Sequence, residues 1–266
     1  MIATNMAMNT CAYVSILDDE DYRTRKLIRM LNFHKKEMTR VKNNIKSFLL
    51  RNGYKYDSTK NWSTQFVNKL KNLDIDPFIK ESLDEYLNTY DMLKEKIKRI
   101  TLKVEEYCLK PRYKEKVANI ASLKGITKHT ALSIISEIGD FTRFESPKMF
   151  SAYLGLVPGE HSSGDKIKYG GITKMGNKTV RYLVVEACQT IVRYPGKNKS
   201  KVLLDRQKEV SPAVISYCDH AIRRLQNRFQ FLTRNGKTYN KAIIAVAREL
   251  SCFIRGIMTN SIAIKD

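Results

Sequence analysis

Cysteine is scarce in this chain and no two cysteines are close. The five (Cys11, Cys108, Cys188, Cys218, Cys252) form no CxxC pair, and the four histidines stand apart. That argues against a zinc site or a disulfide framework and fits a reducing compartment, so a cytoplasmic, nucleoid-associated location is expected. No run of about 18 apolar residues exists, which excludes a membrane-spanning helix. The first sixteen residues lack the basic start and apolar centre of a signal peptide. There is no Walker A sequence, no GxGxxG and no HExxH. Acids are also few: 27 Asp and Glu face 48 Lys and Arg in 266 residues, a formal net charge of +21. A globular chain this basic repels itself unless a polyanion is near, which points to nucleic acid.

What is present is helical periodicity. Leu27, Leu31, His34, Met38, Val41, Ile45 and Phe48 follow the four-three spacing of a heptad seam. Residues 22–51 hold ten Lys/Arg and one acid, Glu37, so the rest of that helix is basic. A second seam follows: Ile79, Leu83, Tyr86, Tyr90, Leu93, Ile97, Ile100, Val104 and Tyr107. Its helix carries seven acids and six bases over 78–108. The two seams suit each other, either within one chain as a hairpin or between chains; spacing does not decide. Asp18, Asp19, Glu20 and Asp21 read as solvated charges at a helix start, favourable to its dipole.

Pro111 opens a more compact region. Helices are expected over 114–123, 128–138, a short stretch after Ser146-Pro147, 178–193, 212–232 and 241–258. Thr127 is a suitable N-cap and Gly139 a suitable end, and Ser146-Pro147 and Ser211-Pro212 open helices. Half of the twelve glycines fall within 155–176, a loop able to approach a ligand closely and to hold one small hairpin. The organisation expected is an irregular start at 1–21, a coiled-coil helical arm at 22–110 and a compact domain at 111–266. The fold class is mainly α.

Three constellations could carry chemistry. Leu123-Lys124-Gly125-Ile126-Thr127 between two helices has the form of a helix-hairpin-helix turn, with Lys124, Gly125 and Lys128 facing a phosphate. Thr127 stands where a second glycine is often found, and an ordinary helix pair with a glycine turn fits as well. Ser162-Ser163-Gly164 places serines on a tight turn, as a nucleophile requires, although Ser-Gly is commonly only a turn. Around it Lys166, Lys168, Lys174 and Arg181 could hold a phosphodiester. Finally, 165–201 holds nine bases and two acids, and 222–255 eight bases and one acid, stripes suited to a phosphate backbone.

Around the glycines a series of short motifs keeps a fixed order: Lys124-Gly125-Ile126, Glu137-Ile138-Gly139-Asp140-Phe141, Leu154-Gly155-Leu156-Val157-Pro158, Ser162-Ser163-Gly164, Gly171-Ile172-Thr173-Lys174, Gly176-Asn177 and Arg181-Tyr182-Leu183. In this the chain resembles transposases of the IS-110 insertion-sequence family, which includes the Piv-type invertases. The resemblance runs from about Tyr22 to the C-terminus. It implies a coiled-coil arm and a transposase domain whose catalytic serine precedes a glycine; the matching position is Ser163, with Ser162 as fallback. It also implies oligomeric DNA recombinases that use a structured, element-encoded RNA and a RuvC-like domain with a D-E-D-D site for Mg. None of the acids at 18–21 matches that set. The chain is therefore expected to lack the RuvC-like domain, to bind no cofactor or metal itself, and to be inactive alone. The rival expectation is a non-catalytic nucleic-acid-binding regulator that dimerises through the heptads.

Overall fold

A computed structural model describes residues 16–54, 62–160, 169–193 and 199–262. Among them the protein is mainly α, as expected, with ten helices and one two-stranded sheet. The chain divides into two compact units, one of Lys26–Glu106 and the other of Met1–Arg25 with Tyr107–Asp266.

The first unit is built from α1 (Asp19–Arg51), α2 (Thr64–Lys71) and α3 (Pro77–Leu109). Its two long seams meet within the chain: Met38, Val41, Ile45 and Leu49 share one apolar core with Leu83, Leu87, Tyr90 and Leu93. Phe66, Val67 and Leu70 of α2 join that core. A third helix adds its apolar side chains to this core, in which Leu49 and Leu87 are also buried although neither lies on the heptad positions. Phe48 is pushed to the edge and packs on Tyr86 with ring centroids 5.7 Å apart. Trp62 stacks on Tyr90 at 5.3 Å, and Lys42 extends over both rings. Ser63 caps α2 by accepting from the Phe66 amide at 3.2 Å.

The second unit is assembled around α10 (Tyr239–Met258), whose buried face includes Ala242, Ile243, Val246, Ala247, Leu250 and Ile254. Against it pack α4 (Pro111–Ala121), α6 (Pro147–Tyr153), α7 (Lys178–Arg193) and α9 (Pro212–Arg234). The helix α5 (Lys128–Ile138) is buried at every position from Ala131 to Ile138, including the polar Ser133, Ser136 and Glu137. Thr127 caps α5 as expected by accepting from the Thr130 amide, and Ser146 and Ser211, at the expected helix starts, accept from the amides of Met149 and Val214. Gly139 ends α5 with φ +71°. A short α8 (Lys201–Gln207), which carries no strong periodic signal, lies between α7 and α9.

The acids at 18–21 depart from the solvated reading. Asp21 is only 6% exposed. It accepts from the Tyr113 hydroxyl at 2.7 Å and from Arg112 at 2.9 Å. Lys110 reaches Glu20 at 3.1 Å, and Arg112 also pairs with Asp18. Asp19 remains exposed and pairs with Arg23. The start of α1 is thus docked on the start of α4, because three of the four acids find partners in Lys110, Arg112 and Tyr113 there. A backbone hydrogen bond from Asp21, with Arg112 beside it, holds the Asp18 carboxyl below the ordinary 3.8. Burial raises the Tyr113 phenol well above its usual value.

Candidate nucleic-acid interface

The glycine-rich stretch forms a hairpin, β1 (Pro158–Glu160) paired antiparallel with β2 (Tyr169–Ile172). Its base is tightly built. Gly155 has φ +65°, and a Cβ there would lie 2.5 Å from both N and O of Met175. Gly176 has φ +71°, and a Cβ there would lie 1.8 Å from the Tyr153 carbonyl oxygen. Both positions therefore need glycine for conformation and for space. Lys174 adopts φ 56°, uncommon for a residue with a side chain. The Lys174 and Thr173 amides donate to the carbonyls of Gly155 and Val157 at 3.2 and 3.0 Å.

Two side chains tie this base to the helices. Arg181, in the first turn of α7, donates through Nη1 to the carbonyls of Leu154 (2.8 Å) and Met175 (2.9 Å). Asn177 caps α7 by accepting from the Val180 amide at 3.0 Å and donates to buried Glu137 of α5 at 3.0 Å. The Gly176-Asn177 pair thus joins a close backbone approach to a helix cap.

The expected site residues fall into separate places. Ser162, Ser163, Lys166 and Lys168 belong to the connection between β1 and β2, which lies outside the described residues. Lys174 is exposed at the hairpin base, where Arg181 holds the strand ends together. Gly125 has φ +83° and presses on α7: a Cβ there would lie 2.6 Å from the Ala187 oxygen. Arg181 and Ala187 are six residues apart on one helix, so the two regions are separated by about 9 Å along its axis. Lys124 is half-buried and its ammonium pKa is lowered by that burial. Lys128 is exposed at the start of α5.

Lys124 and Gly125 open instead onto a groove of about 1800 Å³. Lys199, Arg206 and Arg223 also line it, with Asp219 as the one acid among the described lining residues. Lys199 falls in the basic stripe at 165–201 and Arg223 in that at 222–255, whereas nothing in the sequence marks Arg206. Among the described residues no group of three or more His, Cys, Asp or Glu is placed to hold a metal ion. Asp18, Glu20 and Asp21 are engaged by Arg112, Lys110 and Tyr113, so they do not fit Mg.

Comparison with known proteins gives the class. Residues 117–202, from within α4 through the hairpin to the start of α8, match the Transposase IS116/IS110/IS902 family. The chain thus carries the domain of an insertion-sequence transposase, and the resemblance read from its motifs is borne out. The putative transposase y4qE of Sinorhizobium fredii (strain NBRC 101917 / NGR234) is 33% identical over 244 residues, covering 90% of this chain and 58% of that protein. The transposase for insertion sequence element IS1111A of Coxiella burnetii is 35% identical over 100 residues, 35% of this chain and 27% of that protein. The pilin gene-inverting protein of Moraxella bovis is 28% identical over 108 residues, 40% of this chain and 34% of that protein. The chain spans little more than half of y4qE and about a third or less of the other two.

Proposed function

We propose that this chain binds DNA and serves serine-dependent strand exchange in the transposition of an insertion sequence. Ser163 acts as the nucleophile: its oxygen displaces one ester oxygen of a phosphodiester, leaving a phosphoserine and a free strand end. Return attack by another strand end releases the serine and conserves the bond energy. The observation that carries this reading is the hairpin base. Gly155, Gly176, Arg181 and Asn177 hold the two ends of the serine-bearing connection on buried helices, as a reacting group requires. Lys174 at that base, with Lys166 and Lys168, supplies positive charge for the phosphate.

A hydroxyl is a weak nucleophile at neutral pH and needs a base or a metal. Asp18, Glu20 and Asp21 are engaged by Arg112, Lys110 and Tyr113, and activation is assigned to the RuvC-like acids of the family, on another subunit of an oligomer. An element-encoded RNA guides the choice of target. The chain alone then binds DNA without cutting it. Strand exchange is assayed with the RuvC-like domain supplied in trans or by fusion. Ser163→Ala in that assembly is expected to abolish exchange and the phosphoserine adduct while DNA binding persists. Full activity of Ser163→Ala, or recombination by the isolated chain, would overturn the assignment; loss with Ser162→Ala instead moves the nucleophile by one residue.

A further inference from the structure

The groove beside Gly125 is not part of the hairpin base and has its own chemistry. At about 1800 Å³ it exceeds the roughly 300–1,000 Å³ of sites that enclose small molecules. Lys124, Lys199, Arg206 and Arg223 contribute four cations against one carboxylate, and Lys199 already pairs that carboxylate, Asp219, at 2.7 Å. Arg206 is half-buried and donates to the Ile126 carbonyl, while its Nε is buried with no hydrogen-bond partner among the described residues. A cation kept out of water in this way is offset by an anion brought to it. Across the groove α9 presents Arg223, Asn227 and Gln230, spaced so that they share one helix face. Guanidinium and amide groups in such a row are the donors and acceptors that base edges need.

We propose that this groove binds a single nucleic-acid strand, with phosphates on Lys124 and Arg206 and bases against Arg223, Asn227 and Gln230. An unpaired strand leaves its base edges open to such guanidinium and amide groups, whereas a duplex keeps its pairing edges engaged. The inference rests on the nucleic-acid reading above for the class of ligand, but it names a surface distinct from the serine hairpin. It gives a transposase a second place to hold a strand while the first is being exchanged.

The test uses the full chain and labelled 20-nucleotide single-stranded DNA, single-stranded RNA and duplex DNA in anisotropy titrations across a salt series. Arg223→Glu with Asn227→Ala changes side chains that line the groove, and melting by circular dichroism checks that the fold is kept. The expected result is at least tenfold weaker binding of one or both single strands at every salt concentration. Comparison of the DNA and RNA arms then says which strand the groove takes. Arg228→Glu, on the same helix but outside the groove, is expected to weaken binding less than threefold. Equal weakening by Arg228→Glu, weakening confined to the duplex, or unchanged binding by the paired variant would overturn the groove while leaving the proposed function standing. No binding of any probe at low salt by the unmutated chain would overturn both.

Discussion

Gly176 lies against the carbonyl of Tyr153, so close that a Cβ on Gly176 would sit 1.8 Å from that oxygen. This close approach brings the end of α6 to the start of α7 and closes the base of the hairpin. Gly176→Ala combines an unfavourable φ with a collision against backbone that cannot rotate away. It is expected to cost about 2–4 kcal/mol, measured by urea unfolding, and to reduce strand exchange in the restored assembly. Gly53→Ala has a similar φ but open space around it, and is expected to cost no more than about 1 kcal/mol.

Arg181 tests whether the hairpin base needs a fork or only a charge. One nitrogen, Nη1, serves both carbonyls, so a lysine ammonium has donors enough for both and differs in lacking the rigid, planar head that fixes their direction. Arg181→Lys is expected to lose about 1–2 kcal/mol of stability, with the larger effect on exchange rather than on binding. Retained exchange at the unmutated rate would show that the strand ends are held without it.

The heptad seams pair within the chain, which makes a prediction about concentration. Ile45 and Leu83 are both wholly buried in the three-helix core. Ile45→Ala is expected to cost about 2–5 kcal/mol, read from the fluorescence of Trp62, the chain's one tryptophan, which stacks on Tyr90 in the same unit. Because the seam is satisfied internally, the midpoint of that transition should not depend on protein concentration. A midpoint that rises with concentration would mean that the seams pair between chains.

Tyr113 makes the stability depend on alkaline pH. Burial raises its phenol, and the folded protein keeps a proton that the unfolded chain releases near 10.0. The stabilisation is complete below pH 10 and is lost as pH rises above it, at about 1.4 kcal/mol per pH unit while only the unfolded chain is ionised. Tyr113→Phe is expected to be less stable at pH 7 by about 1–3 kcal/mol, since Asp21 loses a donor, and to show a correspondingly flatter decline above pH 10. Asp18 acts at the other end: its lowered carboxyl stabilises above 3.8 and ceases to do so as pH falls below it.

Helices and their ends were legible because their causes are local. A seven-residue apolar repeat must lie on one helix face, and a serine or threonine before a helix finds the free amides of its first turn. Hence 178–193 is helical over the expected span, Thr127 caps as expected, and helices open at Ser146-Pro147 and Ser211-Pro212. The motif series around the glycines likewise sufficed to reveal the transposase family. Tertiary structure decided whatever depends on who stands opposite. Leu49 and Leu87 are buried in a core that three helices share, and Asp21 is buried because Arg112 and Tyr113 are there to receive it. Arg206 and Arg223 share a groove with Lys124 although they lie 82 and 99 residues further along the chain. Spacing along a chain specifies which side chains share a face of one helix, but not which helix that face will meet.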